Sequence, residues 1–172
     1  VYAGALNRRK NAFLYQWGNY IKHYQVSLYG TEPDASSMDG KEHFDIKGFV
    51  QFDQLIASAD GHFGLVWDGD SIQTCSGNFG EYLQFNNPHK TSLYIRCGLA
   101  IIIWDKAALA PFILRHHIGF CISDLKELDT KLNSLSSEEY LQMRANVLQM
   151  NNALSEGHYF RQAVSTALEA VK

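Results

Sequence analysis

The sequence has few cysteines, and their spacing suits neither a disulfide framework nor a metal site. The three cysteines, Cys75, Cys97 and Cys121, are an odd number and include no Cys-x-x-Cys pair. Small secreted domains rely on paired cysteines, and zinc knuckles need closely spaced ones. We therefore expect a reducing, cytoplasmic compartment, with peripheral attachment at the inner face of a membrane left open.

An excess of positive charge and a long apolar run are also lacking. Fifteen lysines and arginines against eighteen aspartates and glutamates give a formal net charge of -3. Without a general basic field, nucleic acid is not an expected partner. The longest apolar run, residues 99–104, has the length of a strand, whereas a membrane helix needs about 20 residues. The composition thus predicts neither a nucleic-acid-binding nor a membrane-spanning protein.

Common nucleotide-binding and catalytic signatures are absent from the sequence. It contains no Gly-x-Gly-x-x-Gly, no Gly-x-x-x-x-Gly-Lys-[Ser/Thr] and no Gly-x-Ser-x-Gly. Their absence weakens the dinucleotide oxidoreductase, P-loop and α/β-hydrolase hypotheses. None of the seven histidines has a second histidine or a cysteine at ligand spacing, since His116 and His117 are adjacent and project to different sides. No metal site is predicted.

The composition that remains is that of one folded domain. The chain has 172 residues, of which 46% are hydrophobic and 13% aromatic, enough to bury a core of ordinary size. It lacks an initiator methionine and opens inside an apolar stretch, residues 1–6. We treat residues 1–172 as a single domain and expect it to be a piece of a longer polypeptide.

Short β-rich apolar runs alternate with segments of helical period through most of the sequence. Strands are predicted at 1–3, 24–29, 46–50, 63–67, 99–104 and 118–122, and long loops at 31–43 and 68–80. Helices are predicted at 9–21, 52–58, 90–96 and 106–116, and then without further strands at 125–135, 137–154 and 159–171. Such alternation is typical of βαβ units. The predicted fold class is α/β, a doubly wound parallel sheet of about six strands with helices on both faces and extra C-terminal helices.

Cations stand at the starts of helices that follow strands, where ligands of doubly wound sheets bind. The positions are Arg8, Arg9 and Lys10 after the first strand, Lys90 after the second loop, and Lys106 after the fifth strand. Each is unfavourable by about 0.3–1 kcal/mol in isolation, because the helix macrodipole is already positive there. Since sequences tend to break local rules at functional sites, we expect an anion such as a diphosphate at this edge. The alternative is a solvated basic face.

The helix start around Lys90 carries the strongest of these signals. Asn87 is the predicted N-cap and Pro88 the first helical residue. The same turn adds polar side chains that could contact phosphate or sugar, namely His89, Thr91 and Ser92. For Lys106, a plain surface lysine remains an equal interpretation.

The fourth strand runs into an Asp-Gly turn, in which Asp68 and Asp70 flank Gly69. Their carboxylates could serve acid–base chemistry or hold a metal. Asp-Gly turns also commonly do no more than end a strand. Both interpretations stay open from the residues alone.

Several short segments taken together resemble a known family. They are Tyr2-Ala3-Gly4, Leu28-Tyr29-Gly30, Gly64-Leu65-Val66-Trp67-Asp68-Gly69, Tyr82 followed by Asn86-Asn87-Pro88-His89-Lys90, and Gly98-Leu99-Ala100-Ile101-Ile102-Ile103-Trp104. The combination is similar to the bacterial β-1,6-galactofuranosyltransferase-like group, which includes accessory glucosyltransferases that extend glycans on adhesins. The resemblance covers nearly the whole chain. It departs at Ala5 and Ala100, where the family often has Asn and Pro, and Ala5 bears on sugar specificity.

The resemblance implies the C-terminal half of a GT-B glycosyltransferase, a Rossmann-like domain that holds the nucleotide-sugar donor. The implied reaction transfers a hexose, galactofuranose or glucose, from a UDP-sugar to a sugar hydroxyl of a lipid-linked or protein-linked glycan. No cofactor and no essential metal are implied. The acceptor-binding N-terminal half would lie outside this sequence. The chain alone is then expected to bind UDP but to transfer nothing, and self-association is left open.

The resemblance also implies roles for particular residues. The diphosphate would be held by Pro88, His89, Lys90, Thr91 and Ser92, with Gly4 and Arg9 beside it. The uridine and ribose would lie at strand ends formed by Tyr29, Gly30, Gly48, Trp67, Asp68 and Gly69. Lys90 is the expected catalytic residue, because an ammonium beside a helix N-terminus would stabilise the charge that grows on the leaving diphosphate.

Two other hypotheses remain beside glycosyl transfer. The chain could be a non-catalytic, glycosyltransferase-like domain that docks on an active subunit, although a pure scaffold has no reason to keep cations at helix N-termini. It could also be the nucleotide-binding domain of another enzyme such as a dehydrogenase, which the absent glycine-rich signature disfavours. Binding of UDP rather than NAD would distinguish these hypotheses.

Overall fold

The computed structural model describes residues 1–31 and 33–171, and within them six parallel strands form the sheet structure. The strands are β1 (Tyr2–Ala3), β2 (Val26–Tyr29), β3 (Phe44–Gly48), β4 (Phe63–Val66), β5 (Ala100–Trp104) and β6 (Gly119–Ile122). In this part of the chain they pair as two three-stranded sheets, β1-β2-β3 and β4-β5-β6. The predicted α/β class with parallel strands is confirmed. Glu32, within the predicted loop 31–43, and Lys172, at the end of the predicted domain, lie outside the described residues.

The short strand β1 joins the two sheets. The Leu65 N–H donates to the Val1 carbonyl at 2.9 Å, and the Val1 nitrogen donates to the Phe63 carbonyl at 2.6 Å. The spatial order of the described strands is therefore β3-β2-β1-β4-β5-β6. This is the order of a doubly wound Rossmann sheet, in which ligands bind outside the carboxyl ends of the strands where the order reverses. That point lies between β1 and β4.

Helices connect these strands and cover the sheet. Among the described residues they are α1 (Leu14–Trp17), α2 (Phe52–Ser58), α3 (Gly77–Glu81), α4 (His89–Arg96), α5 (Ala110–Arg115), α6 (Leu128–Ser134), α7 (Ser137–Ser155) and α8 (His158–Ala170). Short 3-10 turns lie at Gly18–Tyr20, Ala35–Ser37, Lys41–His43, Tyr82–Gln84 and Leu125–Glu127. The predicted loops 31–43 and 68–80 therefore contain helical turns, because single turns carry too little apolar periodicity to be seen in the sequence.

Two predicted helices are much shorter in the structure. In the segment 9–21 a regular helix forms only over α1, because the Phe13 N–H donates to the Gly69 carbonyl at 3.3 Å instead of to a carbonyl one helical turn earlier. In the segment 106–116 the helix starts at α5, where Pro111 occupies the first turn. Proline has no N–H and its ring clashes with a preceding helical turn, so α5 does not extend back to Lys106.

The core lies along β5 and beneath α4. Residues of β5 are at most 4% exposed, as expected of a strand covered on both faces. Tyr94 of α4 packs so closely on the sheet that a Cβ on Gly64 would lie 2.2 Å from its ring. Its hydroxyl accepts the Ala3 N–H at 2.8 Å. Helix α4 is therefore fixed across the junction of the two sheets, with its N-terminus at the carboxyl edge.

The C-terminal helices lie on the outside of the domain. Helix α7 begins with a capping box, in which Ser136 Oγ accepts the Glu139 N–H at 3.2 Å and the Glu139 carboxylate accepts the Ser136 N–H at 2.8 Å. Gly157, with φ of 67°, turns the chain into α8, whose residues are all exposed. No helix in the described part of the chain combines the length and the apolarity needed to cross a membrane.

Candidate functional site

Glycines end the strands on one side of the sheet. The Gly4 N–H donates to the Tyr29 carbonyl at 2.9 Å, and the Gly30 N–H donates to the Gly48 carbonyl at 2.9 Å. A Cβ on Gly30 would lie 2.0 Å from the Gly4 oxygen, so only glycine permits this approach of β1 and β2. The structure thus brings together Gly4, Gly30 and Gly48 at the predicted edge. The Tyr29 side chain is buried beneath it.

Lys90, in the first turn of α4, reaches under the end of β1. Its Nζ donates to Asp68 Oδ1 at 2.5 Å, to the Tyr2 hydroxyl at 2.8 Å and to the Trp67 carbonyl at 3.3 Å. A Cβ added to Gly4 would lie 3.1 Å from Lys90 Cε, so the lysine stem lies directly against the open backbone of Gly4. The ammonium therefore sits at the reversal point of the sheet, with acceptors from both β1 and the turn after β4.

Asp68 is the counter-ion of Lys90. The side chains of this pair are 9% and 12% exposed respectively, and the Tyr2 hydroxyl donates to the same Asp68 Oδ1 at 3.0 Å. Burial lowers the pKa of Lys90, while the charge and the hydrogen bond of Asp68 act in the opposite direction. Burial, followed by the Asp68 charge, holds the pKa of Tyr2 well above its usual range, so its hydroxyl stays protonated. The network is a buried ion pair bridged by one neutral hydroxyl.

The start of α4 differs by one residue from the prediction. Pro88, in extended conformation, is the N-cap instead of Asn87, and His89 is the first helical residue. The Pro88 φ of -70° is the angle that the proline ring imposes, and its extended ψ of 134° marks the residue before the helix. No side chain caps this terminus among the described residues, which leaves first-turn N–H groups open to an external acceptor.

The other polar side chains of this turn differ in their exposure to solvent. His89 and Ser92 are exposed, whereas Thr91 is buried, and its hydroxyl has no hydrogen-bond partner among the described residues. The Thr91 N–H donates to the Pro88 carbonyl at 3.0 Å. The structure thus keeps the five predicted residues 88–92 in one turn, and the Lys90 side chain reaches the sheet junction through its hydrogen bonds.

The cations after β1 do not converge on one point. The Arg8 guanidinium lies 4.9 Å from the Tyr15 ring centroid, and the Lys10 ammonium lies 5.6 Å from that of Phe79. Lys10 is the cation whose charge reaches Lys90 and contributes to lowering its pKa. Arg9, the residue expected beside the diphosphate, is exposed in the same turn. Lys106, at the end of β5, is exposed as well.

Trp67 and Gly69 hold the turn after β4. The Trp67 ring is fully buried and its Nε1 donates to the Ser71 carbonyl at 3.0 Å. Gly69 has φ of 107°, and a Cβ there would lie 2.1 Å from the Ser76 oxygen. These two residues therefore shape the turn that presents Asp68. Among the described residues, no three metal-ligating side chains cluster at this turn or elsewhere.

Asn11 is a site residue that sequence reasoning missed. It is completely buried, its Nδ2 donates to the Ala5 carbonyl at 2.6 Å, and its Oδ1 accepts the Gly69 N–H at 3.3 Å. One amide thus ties the turn after β1 to the turn after β4. The only signal was a polar residue just before the apolar Phe13 and Leu14, and the predicted helix 9–21 concealed it.

The strand order and the site at its reversal point define a Rossmann-like α/β domain. The family model of the glucosyltransferase 3-like, C-terminal domain matches residues 1–167. The chain belongs to this family, which confirms the resemblance inferred from its motifs.

The relatives of the chain are glycosyltransferases. It is 38% identical over 175 residues to the β-1,6-galactofuranosyltransferase WbbI of Escherichia coli (strain K12), a match covering 100% of this chain and 50% of that protein. It is 26% identical over 117 residues to glucosyltransferase 3 of Streptococcus gordonii, covering 68% of this chain and 34% of that protein. For glucosyltransferase 3 of Streptococcus parasanguinis the identity is 24% over 114 residues, covering 66% and 32%. The chain thus spans half or less of these relatives.

Proposed function

We propose that the chain is the donor-binding half of a glycosyltransferase. It would bind a UDP-sugar and present its hexose, galactofuranose or glucose, to a sugar hydroxyl of a glycan held by a second half of a longer protein. One observation carries the proposal: the buried Lys90 ammonium lies against Gly4, where β1, β4 and the first turn of α4 meet. The names of the relatives, which mention galactofuranosyl and glucosyl transfer, agree with it.

A diphosphate at this edge would meet positive charge from two sources. The first-turn N–H groups of α4 point out of its N-terminus, and Lys90 adds a full charge. The ammonium already donates to three acceptors, of which the Trp67 carbonyl, at 3.3 Å, is the most distant. A phosphate oxygen could replace that carbonyl while the bonds to Tyr2 and Asp68 remain. Binding therefore requires the exchange of one weak acceptor and no rupture of the ion pair.

The transfer step breaks the bond between the anomeric carbon and the diphosphate oxygen, and the acceptor hydroxyl oxygen bonds to that carbon. The electron pair of the broken bond stays on the diphosphate, and the acceptor proton passes to a base that we place on the second half. Lys90 and the α4 N-terminus would stabilise the added charge. Their effect is large because little water reaches the buried ammonium to screen it. The proposal includes no cofactor beyond the UDP-sugar substrate.

The uridine and ribose would extend from the diphosphate along the glycine edge toward β2 and β3. Gly48 supports this direction, because a Cβ built on it meets no atom within 4 Å, so the backbone borders open space. Arg9 and Lys10 would face the phosphates from the turn after β1. Trp67 and Gly69 would support the site indirectly, through the turn that presents Asp68.

Calorimetric titration of the chain with UDP, with GDP and NAD as controls, tests the proposal. We expect UDP alone to bind, and Lys90→Ala to lower its affinity by about 100-fold, since a buried charged contact to the phosphate is lost. Lys106→Ala is the matched control, because it removes an exposed lysine near another helix start, and we expect no change. Circular dichroism establishes that each variant is folded. A folded chain that binds no UDP would overturn the proposal.

A non-catalytic partner domain is the second candidate. It is favoured by the engagement of Lys90 with three internal acceptors, which shows that the ion pair also serves the fold. A folded chain that binds neither UDP nor NAD, but associates with an active glycosyltransferase subunit, would support this candidate.

A further inference from the structure

Tyr2 lies at the centre of the buried network. It is 0% exposed, and its ring packs edge-on against Phe13 with centroids 5.5 Å apart. Its hydroxyl accepts a hydrogen bond from Lys90 and donates one to Asp68. The Lys90 Nζ also lies over the same ring, 4.2 Å from its centroid. Tyr2 therefore contacts the ammonium through both its oxygen and its π system.

The burial of Tyr2 limits what its hydroxyl can do. A side chain with no exposed surface cannot touch a bound ligand, so any influence on binding passes through Lys90 or Asp68. The hydroxyl has one proton, which it gives to Asp68, and this leaves its lone pairs directed at the ammonium. Tyr2 thereby fixes the direction in which Lys90 donates, and holds the Asp68 carboxylate beside it.

We propose that Tyr2 is a positioning residue, which holds the Lys90 ammonium under Gly4 so that one of its N–H groups is free to turn toward a phosphate. The inference rests on the proposed function of the site. Without the hydroxyl, the ammonium would keep Asp68, the more distant Trp67 carbonyl and the contact with the ring, and its distance from the open backbone of Gly4 would be less closely fixed. The ring stays in place in either case because Phe13 packs against it.

Tyr2→Phe removes the hydroxyl and keeps the ring, its packing and its contact with the ammonium. The matched control is Tyr94→Phe, which removes a buried hydroxyl from the same junction, bonded to the Ala3 N–H at 2.8 Å and not to Lys90. UDP affinity is measured by calorimetry for the wild-type chain and both variants, and folding by circular dichroism and thermal unfolding. We expect Tyr2→Phe to weaken UDP binding about tenfold, the effect of one hydrogen bond to a charged group. Tyr94→Phe should change it by less than about twofold.

The pH dependence of UDP binding distinguishes a positioning role for Tyr2 from a purely structural one, because a purely structural role would leave that dependence unchanged. Binding needs the charged ammonium, so affinity falls as the pH rises through the pKa of Lys90. Loss of the Tyr2 acceptor disfavours the charged form, and the fall should begin at lower pH in Tyr2→Phe but not in Tyr94→Phe. The other charged or titratable groups that act on Lys90 are Asp68, Lys10 and Cys75, and both variants retain them.

The outcomes separate this inference from the proposed function. A tenfold loss with a shifted profile, confined to Tyr2→Phe, supports it. Equal UDP binding by the wild-type chain and Tyr2→Phe, with Lys90→Ala still defective, overturns the positioning role alone. If the two tyrosine variants lose UDP affinity equally, or if the Tyr2→Phe chain is unfolded, the Tyr2 hydroxyl serves the fold. Either result also overturns the positioning role. A folded wild-type chain that binds no UDP overturns the proposed function and this inference together.

Discussion

At the scale of single residues, the charge of Lys90 is held where little water can solvate it. Burial lowers its pKa and outweighs the opposing effect of Asp68. The folded chain therefore binds fewer protons than the unfolded chain between the lowered pKa and the ordinary value of about 10.4. By linkage, stability rises with pH across that window, and the stabilisation is lost as the pH falls through the folded pKa.

Asp68→Asn removes the counter-ion and keeps the shape of the side chain. We expect the free energy of unfolding at pH 7 to fall by about 3 kcal/mol, because Lys90 is left buried without an opposite charge. The loss should shrink on raising the pH toward about 10, where the neutral amine no longer needs a partner. Urea unfolding at both pH values measures this. Asp45→Asn is the control, since its pair with Lys47 at 2.5 Å is exposed, and a loss as large there would contradict the assignment.

The place of Lys90 at the carboxyl edge of the sheet was predictable from the sequence, whereas its contacts with Asp68 and Tyr2 were not. A cation in the first turn of a helix breaks a local electrostatic rule, and that rule can be applied to neighbouring residues alone. Asp68 and Tyr2 lie 22 and 88 positions away, and they meet Lys90 only because β1 and β4 are adjacent. The same limit concealed Asn11, whose two hydrogen bonds join turns that follow different strands.

At the scale of elements, the edge formed by β1, β2 and β3 depends on glycine for different reasons at different positions. At Gly30 a side chain would collide with the backbone of Gly4. At Gly48 there is space for a side chain, but φ is 73°, a left-handed conformation that other residues adopt at a cost of about 1–2 kcal/mol. The first glycine therefore sets the spacing of two strands, and the second sets only a local backbone angle.

Gly30→Ala and Gly48→Ala should differ accordingly. We expect Gly30→Ala to lower the free energy of unfolding by about 3 kcal/mol or more, because neither backbone can move aside without breaking the β1–β2 ladder. Gly48→Ala should cost about 1 kcal/mol. Urea unfolding of the two variants checks the order, and a larger loss for Gly48→Ala would contradict the packing described for this edge.

At the scale of the whole molecule, the apolar residues cluster along the sheet, and α8 contributes no buried residue. Its exposed side chains include Phe160 and Leu168 at 76% and 57%. The central strand was predictable because the run 99–104 is apolar without interruption and has the length of a strand, as expected of a strand covered on both faces. The short helix within segment 9–21 was not predictable. Phe13, Leu14 and Trp17 are buried from a turn followed by a single helical turn, and their spacing in the sequence is that of a longer helix.

A chain that ends at Gly157 should therefore keep the fold of the sheet. We expect its melting temperature to fall by no more than about 3 °C, because the sheet and α7 retain their core contacts. For a chain of this size, that corresponds to a loss of about 1 kcal/mol or less in the free energy of unfolding. Val147→Ala, in α7, is the control for a fully buried position and should cost about 2 kcal/mol. Differential scanning calorimetry compares the two. A truncated chain less stable than Val147→Ala would show that α8 supports the core.

Strand β1 has two residues, yet it is the only described segment that pairs with both sheets. Each three-stranded sheet is built from one continuous stretch of sequence, residues 2–48 for the first and 63–122 for the second. The hydrogen bonds of Val1 with Phe63 and Leu65 join these stretches across a long loop. Separation of the two sheets would break the bond of the Leu65 N–H, so exchange of this amide proton with solvent measures how often the seam between them opens. Since the candidate site lies on that seam, each such opening would also take the site apart.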